Sequence, residues 1–258
     1  MKDLRIVIPA YNEENAIGDV IDRVKVSCPD ADFIIVNDAS SDRTVQIAID
    51  RGIKVISNPV NLGYGGALKV GFNHFTDTGD YIKYLAFLDA DGTYPPEKIP
   101  ELYNLCVNNG YDMVVGSRLI SRNKGMPFIR MVGNSLFAFL ATIYSGRKVT
   151  DTGSGLRVFK KELSSWVQEL PDGLDLTPAM TIKALFEGLA YAEIAIEYNK
   201  RIGRSKLSNL RDGYRFLKVI MNASRQHRPW LFYCTLGIPF LLVDLLVKLS
   251  SVLRTRDG

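Results

Sequence analysis

The sequence predicts an α/β protein with a mostly parallel β-sheet and flanking helices. Short β-branched runs recur along the N-terminal half, amphipathic helical patterns separate them, and polar turn residues follow each run. Strands that alternate with helices in this way form βαβ units, whose strands lie parallel in one sheet. The chain has 258 residues, 47% of them hydrophobic, and is therefore long enough to bury a full core without disulfides.

The predicted strands are residues 4–8, 33–36, 54–56, 84–88 and 113–115, all short runs rich in β-branched or aromatic residues. The first run stops at Pro9. A helix is predicted directly after it, because Ala16, Ile17, Val20, Ile21 and Val24 recur at helical spacing. A second, less regular helical pattern covers residues 45–49.

Polar residues follow three of these strands, at residues 9–13, 37–42 and 89–92. In an open α/β sheet, ligands bind beyond the carboxyl ends of the strands. The three segments are rich in carboxylates, and they are expected to meet at one edge of the sheet. This pattern indicates a cationic or hydroxyl-rich ligand.

Asp89 and Asp91 end the fourth predicted strand, where side chains two residues apart point the same way. Two carboxylates held close together repel each other unless a cation lies between them. Mg²⁺ or Mn²⁺, which also bind phosphate oxygens, would relieve that repulsion. The simpler alternative is a solvated Asp-Gly turn.

Asp38 is predicted to accept hydrogen bonds from a base or a ribose hydroxyl, whereas Asp42 is favoured as the cap of the following helix. The glycine-rich segment 61–69 fits neither the GxxxxGK[ST] nor the GxGxxG pattern. Its glycines are instead expected to let the backbone pass close to a bound donor before a helix begins.

Seven sequence blocks within residues 4–210 resemble the family 2 glycosyltransferases, and among them the dolichyl- or polyprenyl-phosphate mannose or glucose synthases. In chain order the blocks are VIPAYNEE, VNDASSDRT, NLGYGGAL, LDADGTYPPE, VVGSR, TDTGSGLRVFKKE and KRIGRSKLS. The resemblance implies the GT-A fold, which is Rossmann-like. It also implies a nucleotide-sugar donor, a polyprenyl or dolichyl phosphate acceptor, Mg²⁺ or Mn²⁺, and no nucleic-acid partner.

The resemblance assigns roles to individual residues. Asp89 and Asp91 correspond to the metal-binding DxD pair, and Asp91, Asp151 and Arg118 to catalytic positions. The residues that correspond to the nucleotide-sugar contacts are Pro9, Ala10, Tyr11, Glu13, Asp38, Asp89 and Ala90. The chain departs from the family at Thr93, where many relatives have glutamine, and at Tyr64, where lysine is frequent.

The acceptor phosphate is expected to contact a set of basic and polar residues: Arg118, Arg130, Asn134, Ser135, Arg201 and Lys206. Guanidinium groups bind phosphate through two parallel hydrogen bonds, which suits this role. The alternative is that Arg118 pairs with a local carboxylate and that residues 200–206 form a basic surface run. A phosphate acceptor is largely ionised at pH 7, so no strong general base is expected. Asp151 would orient the acceptor or stabilise positive charge at the anomeric carbon, and direct attack would invert that carbon.

The C-terminal part of the chain predicts membrane association, with residues 1–206 as the catalytic domain. Residues 207–228 predict a basic amphipathic helix at the headgroup layer, and residues 229–258 a hydrophobic anchor that either spans the bilayer or lies in its interface. Residues 135–144 are apolar but too short to span, which indicates a buried or membrane-facing helix. The basic cluster and three unpatterned cysteines favour a cytoplasmic catalytic domain.

Three other functions are compatible with parts of the sequence. A family 2 transferase could act on a saccharide, although the QxxRW signature of processive synthases does not occur around either tryptophan. A nucleotidyltransferase could use the same carboxylates, but PAYNEE follows the first strand where a basic, glycine-rich loop is usual. A non-catalytic membrane scaffold would be favoured if either DxD carboxylate were lost, and both are present.

Overall fold

The structure, a computed structural model, describes residues 1–76, 81–120, 125–203 and 209–235. Within them, seven strands form one sheet in the order β3-β2-β1-β4-β6-β5-β7. The strands are β1 Leu4–Ala10, β2 Asp32–Asn37, β3 Lys54–Ser57, β4 Tyr84–Phe87, β5 Met113–Ser117, β6 Arg157–Lys160 and β7 Tyr191–Ala195. β6 runs antiparallel to β4 and β5, and the other pairs are parallel. The predicted mostly parallel α/β class is therefore confirmed.

Helices cover both faces of the sheet. They are α1 Ile17–Ser27, α2 Thr44–Asp50, α3 Gly63–Thr76, α4 Ile99–Asn109, α5 Phe128–Ser145, α6 Ser164–Val167, α7 Leu176–Phe186 and α8 Asn209–His227. Two short 3₁₀ helices, Pro96–Lys98 and Lys161–Leu163, precede α4 and α6. In α1 the predicted apolar stripe is buried against the sheet, as its helical spacing requires.

The two faces of the sheet carry separate cores, because successive side chains of a strand point to opposite faces. In β1, Leu4, Ile6 and Ile8 pack with α1 and α4, whereas Val7 packs with α3 and α7. A third cluster joins α5, α7 and α8 through residues such as Ala141 and Ile220. This cluster attaches α5 and α8 to the main domain.

Two strands and the end of a third differ from the sequence prediction. β6 and β7 were not predicted, because charged residues interrupt their apolar runs and their pairing partners are distant in sequence. β4 ends at Phe87, one residue earlier than expected. Asp89 and Asp91 therefore lie in the turn after the strand, and their proximity comes from that turn and not from strand alternation.

The apolar segment predicted at residues 135–144 is part of a longer helix. α5 begins after Pro127, whose extended backbone precedes the first turn, and ends at Gly146, whose φ of 72° is left-handed. Its 18 residues and mean hydropathy of 1.3 make it, among the described residues, the one helix long and apolar enough to cross a membrane. The expected length was wrong because Phe128–Asn134 mixes polar with apolar residues.

α8 lies inside the predicted amphipathic interval 207–228. Phe216 and Ile220 are buried, whereas Tyr214 and Leu217 are exposed. The helix thus has one apolar side against the domain and further apolar side chains facing outward. Most of the predicted anchor, residues 236–258, lies outside the described residues.

Candidate active site

The tips of β1 and β2 are tied together by short hydrogen bonds. The Asn12 amide donates to Ser40 Oγ at 2.9 Å, and the Ser41 amide donates to Asn12 Oδ1 at 2.8 Å. Asn12 and Ala39 have φ values of 51° and 63°, which non-glycine residues rarely adopt. Such backbone persists only where the surroundings enforce it, and it often marks a functional site.

The predicted nucleotide contacts occupy this tip. Pro9 and Ala10 are buried at the end of β1, whereas the Tyr11 side chain is 39% exposed. The Glu13 amide donates to Thr44 Oγ1 at 2.8 Å, which fixes the start of the next turn. Ala90 is buried beneath the turn after β4.

Asp38 holds the glycine-rich segment in place. Its carboxylate accepts hydrogen bonds from Asn58 Nδ2 at 2.9 Å and from the amides of Leu62 and Gly63 at 2.8 and 2.9 Å. The side chain is buried, and its carboxylate is bound by groups of the protein itself. Its contact with the nucleotide stays a prediction. Asp42, expected as the cap of α2, accepts the Thr44 amide at 2.9 Å, although the cap position itself is one residue later.

α3 begins at Gly63, within the glycine-rich segment and not after it as expected. The glycines of this segment allow the backbone to lie close to the backbone of residues 171–172. A Cβ atom on Gly65 would lie 2.5 Å from the Pro171 carbonyl oxygen, and one on Gly63 would lie 2.7 Å from that of Asp172. These glycines are therefore required by packing of the protein on itself.

Each carboxylate of the DxD pair accepts a hydrogen bond from a hydroxyl group. Tyr64 Oη donates to Asp89 Oδ1 at 2.7 Å. Thr93 donates to Asp91 Oδ1 through its hydroxyl at 2.5 Å and through its amide at 3.1 Å. Asp91 and Thr93 are buried. Sequence reasoning noted Tyr64 and Thr93 as departures from the family and did not assign them these partners.

The electrostatics of the pair suit a divalent cation. Burial, followed by repulsion from Asp91, raises the pKa of Asp89 to about 7. A cation would favour the ionised form, and Mg²⁺ is commonly held by one or two carboxylates together with phosphate oxygens. The donor set therefore fits the expected metal. No group of three or more His, Cys, Asp or Glu side chains suited to a metal occurs within the described residues.

Arg201 bridges the tips of β1 and β4. Its Nη1 lies 2.7 Å from Asp91 Oδ2, and its Nη2 contacts Glu13. Its Nε is buried and has no hydrogen-bond partner in the described part of the chain. The backbone just before Arg201 is also fixed to the turn after β4, because the Asn199 amide donates to the Thr93 carbonyl at 2.9 Å. The structure places Arg201, an expected acceptor-phosphate contact, beside the DxD pair.

Arg118 and Asp151 form a buried, bidentate ion pair at the tip of β5. Arg118 Nε and Nη2 lie 2.7 and 2.8 Å from the two oxygens of Asp151, and the Arg118 amide donates to Oδ2 at 3.0 Å. Burial raises the pKa of Asp151, but the charge and hydrogen bonds of Arg118 outweigh it and hold that pKa below its usual value. The alternative in which Arg118 pairs with a local carboxylate is the one observed.

Glu193 supports this ion pair from β7 and was missed by sequence reasoning. Its carboxylate accepts hydrogen bonds from the Thr150 amide at 2.8 Å, the Thr150 hydroxyl at 2.5 Å and the Asp151 amide at 3.1 Å. Tyr191 Oη donates to it at 2.8 Å. A lone glutamate in an unpredicted strand gave no signal, since Thr150 and Asp151 lie 43 and 42 residues away.

The loop 151–155 joins the DxD pair to the Arg118–Asp151 pair. A Cβ atom on Gly155 would lie 2.5 Å from Asp89 Oδ1, so only glycine leaves room for that carboxylate. The Gly155 amide donates to Tyr94 Oη at 2.7 Å, and the Tyr94 ring centre lies 6.0 Å from the Arg118 guanidinium carbon. The two charged pairs are therefore parts of one site.

The remaining predicted acceptor residues lie on or near α5. Asn134 approaches Gly153, beside the Arg118 guanidinium. Ser135 is exposed and Arg130 is partly buried, both on the same helix. Lys206 lies outside the described residues.

Residues 5–165 match the family described as Glycosyl transferase family 2. The chain belongs to this family. The family resemblance read from the seven sequence blocks is thereby confirmed, and the protein is a glycosyltransferase.

This family 2 glycosyltransferase is similar to two curated relatives across most of its length. It is 33% identical to a dolichyl-phosphate hexose transferase of Haloferax volcanii, over 88% of this chain and 96% of that protein. It is 26% identical to a polyprenol monophosphomannose synthase of Mycolicibacterium smegmatis, over 80% of this chain and 82% of that protein. Both names describe transfer of a sugar to a polyprenyl-type phosphate.

The glycosyltransferase also shares its fold with a solved structure. Glucosyl-3-phosphoglycerate synthase from Mycobacterium tuberculosis, in complex with Mn²⁺, UDP and glucosyl-3-phosphoglycerate, aligns with a TM-score of 0.65 and 23% identity. The alignment covers 87% of this chain and 79% of that one. The GT-A-like fold is confirmed by this likeness. Another structure of that enzyme contains Mg²⁺ and UDP.

Proposed function

We propose that this glycosyltransferase moves a hexose from a nucleotide diphosphate sugar, of the GDP-mannose or UDP-glucose type, to a polyprenyl or dolichyl phosphate at a membrane surface. The anomeric carbon is inverted. One observation carries the proposal: Gly155 packs against the Asp89 carboxylate, and the same loop begins at Asp151, which pairs with Arg118. This arrangement supports neighbouring positions for the proposed cation and the proposed acceptor phosphate.

The donor binds at the tips of β1, β2 and β4. Pro9, Ala10, Tyr11, Glu13, Asp38 and Ala90 line the nucleotide side. Asp89 and Asp91 would hold Mg²⁺ or Mn²⁺, which when bound stabilises negative charge on the departing diphosphate. Two carboxylates and a phosphate-bearing ligand are a common set for these ions.

The acceptor phosphate binds near Arg118, with Arg130, Asn134, Ser135, Arg201 and Lys206 as further contacts. Arg118 already donates to Asp151 from Nε and Nη2, so Asp151 fixes the plane of the guanidinium. Asp151 accepts from Arg118 and from the Gly153 amide at 3.1 Å, and its lowered pKa keeps it ionised. It orients Arg118 and does not act as a proton acceptor. None is needed, because a phosphate monoester with a second pKa of about 6 is largely ionised at pH 7.

The membrane contact is made by the outer face of α5, defined by the exposed side chains Phe128, Ile129, Val132, Leu136 and Phe139. Seven large apolar side chains of α5 are exposed, Met131 and Ile143 in addition to these five, which is more than scattered surface residues. α8 packs beside α5 through the Phe137 and Phe216 rings, and its exposed Arg211 and Arg215 suit anionic headgroups. We place residues 1–206 on the cytoplasmic side, residues 207–228 at the interface and residues 229–258 as the anchor.

The function is tested with a donor panel. GDP-mannose, UDP-glucose and UDP-N-acetylglucosamine are each offered with a polyprenyl phosphate acceptor and Mg²⁺ or Mn²⁺. Formation of a sugar phosphate lipid from one donor supports the proposal, and the configuration of its anomeric carbon reports inversion. Transfer to a saccharide but not to the lipid phosphate would assign a different acceptor class.

The membrane contact is tested by vesicle flotation of the full chain. Leu136→Asp places a charge in the outer face of α5 and is expected to weaken binding to vesicles that contain anionic lipid. Val26→Asp is the matched control, because Val26 is 82% exposed on α1, outside this surface. Equal flotation of both variants and the wild type would remove α5 from the membrane contact.

A further inference from the structure

Two hydroxyl groups, from different segments of the chain, donate hydrogen bonds to the two DxD carboxylates. Tyr64 comes from the first turn of α3 and donates to Asp89, whereas Thr93 follows the turn after β4 and donates to Asp91. Both hydrogen bonds end on an Oδ1 atom. Each bond fixes the rotation of one carboxylate about its side chain.

The two donors are themselves held rigidly. Tyr64 follows Gly63, whose amide is bound by Asp38 at 2.9 Å, and the adjacent Gly66 amide donates to the Asp172 carbonyl at 3.0 Å. Thr93 is fully buried, and its carbonyl accepts the Asn199 amide. A donor with a fixed backbone gives its partner a fixed orientation.

A hydroxyl donor also leaves the charge of its carboxylate in place. A lysine or arginine in either position would neutralise a carboxylate through an ion pair, and so would compete with a bound cation. Tyr64 and Thr93 are neutral, so neither cancels the charge of the carboxylate it binds, whereas Arg201 already pairs with Asp91. Orientation without neutralisation is what outer-shell partners supply to metal ligands.

We infer that Tyr64 and Thr93 are positioning residues that orient Asp89 and Asp91 toward a divalent cation. The inference rests on the proposed function, because the cation site belongs to it. It assigns no contact between either hydroxyl and the metal. The hydroxyls act through the two carboxylates.

The test measures Mn²⁺ binding to the full chain by electron paramagnetic resonance, in the presence of UDP and, separately, of GDP. Thr93→Val and Tyr64→Phe each remove a hydroxyl with little change of shape. Each is expected to weaken Mn²⁺ binding by about 10- to 100-fold, the usual effect of losing an outer-shell partner. Thr93→Ser keeps the hydroxyl and is expected to retain wild-type affinity.

A matched control separates this role from a general effect of losing a buried hydroxyl. Tyr103 Oη donates to Asp3 Oδ1 at 2.6 Å, and Asp3 precedes the start of β1, whereas the site lies beyond the other end of that strand. Tyr103→Phe therefore removes a comparable Tyr–Asp hydrogen bond outside the site. Its Mn²⁺ affinity is expected to equal that of the wild type. Thermal unfolding of every variant shows which of them keep the fold.

The outcomes distinguish the inference from the proposed function. Unchanged Mn²⁺ affinity in Thr93→Val and Tyr64→Phe, with normal binding by the wild type, overturns the inference and leaves the function standing. Equal losses in Thr93→Ser and Thr93→Val also overturn it, because packing and not the hydroxyl would then matter. A wild-type chain that binds no Mn²⁺ with either nucleotide overturns both.

Discussion

The β4 side of the site, formed by Glu13, Asp89 and Asp91, handles its charges differently from the β5 side, formed by Arg118, Asp151 and Glu193. On the β4 side, burial and the neighbouring Asp91 raise the pKa of Asp89 to about 7. On the β5 side, Arg118 more than offsets the burial of Asp151 and lowers its pKa. The half-buried Asp89 carboxylate is poorly compensated, whereas the buried Asp151 carboxylate is fully paired.

This difference indicates which part of the site can bind a cation and which part holds other side chains in position. Buried carboxylates that repel each other favour an incoming cation, because it removes the repulsion. A buried ion pair with ideal geometry is already satisfied, and it fixes the position of its arginine. The β4 side is therefore suited to bind an ion, and the β5 side to present a rigid guanidinium.

The largest expected effect is on the β4 side. Asp91→Asn removes one charge from the DxD pair and keeps the shape of the side chain. Because a charged metal ligand is lost, the rate of sugar transfer should fall by more than the ~10³-fold caused by loss of one neutral hydrogen-bond donor. Initial rates with the donor identified by the panel measure it. Asp30→Asn, at an exposed loop position, is the control. A folded Asp91→Asn variant with near-normal turnover would contradict the role of the pair.

A large effect on stability is expected on the β5 side. Asp151→Asn leaves Arg118 as a buried charge without its carboxylate, which should lower the free energy of unfolding by about 3–5 kcal/mol. Glu97→Gln breaks the exposed pair with Arg23, where the loss should be about 0.2–1 kcal/mol. Urea denaturation compares the two variants. Similar losses would mean that the buried pair is not the scaffold described above.

The Asp151 contribution should depend on pH. Because the folded protein holds the pKa of Asp151 below the unfolded value of about 3.9, the stabilisation is complete above that value and is lost as pH falls through the folded pKa. The stability difference between wild type and Asp151→Asn should therefore be constant near neutral pH and shrink below about pH 4. Urea denaturation at several pH values measures this difference. A difference that grows on acidification would contradict the assignment.

The smallest expected effect concerns Arg201, which pairs with both Glu13 and Asp91 on the β4 side. Its guanidinium and a divalent cation would both bind Asp91, so Arg201→Met should tighten Mn²⁺ binding by up to about tenfold, or ~1.4 kcal/mol. Calorimetric titration of Mn²⁺ checks it. Lys200→Met removes a charge from the exposed neighbouring residue and should change the affinity less. Weaker Mn²⁺ binding in Arg201→Met would show that the arginine supports the cation site.

The β4 side could be predicted from the sequence to a greater extent than the β5 side. Strands β1, β2, β3 and β4 are short apolar runs followed by polar turns, so local pattern was sufficient to find them. The Asp89–Asp91 pair was found for the same reason, although the structure shows that a turn and not a strand brings the two together. On the β5 side, Arg118 was recognised as the residue after a strand, but its support by Glu193 was not.

Residues adjacent in sequence were enough to determine the α/β class, the positions of the first five strands and the polar residues at their tips, because strand and turn propensities act over a few residues. The tertiary structure decided which charges meet. Arg201 reaches Asp91 and Glu13 across 110 and 188 residues, and Glu193 reaches Asp151 across 42. Contacts at such separations depend on how the whole sheet is assembled, with β6 reversed between β4 and β5, and no local pattern encodes that arrangement.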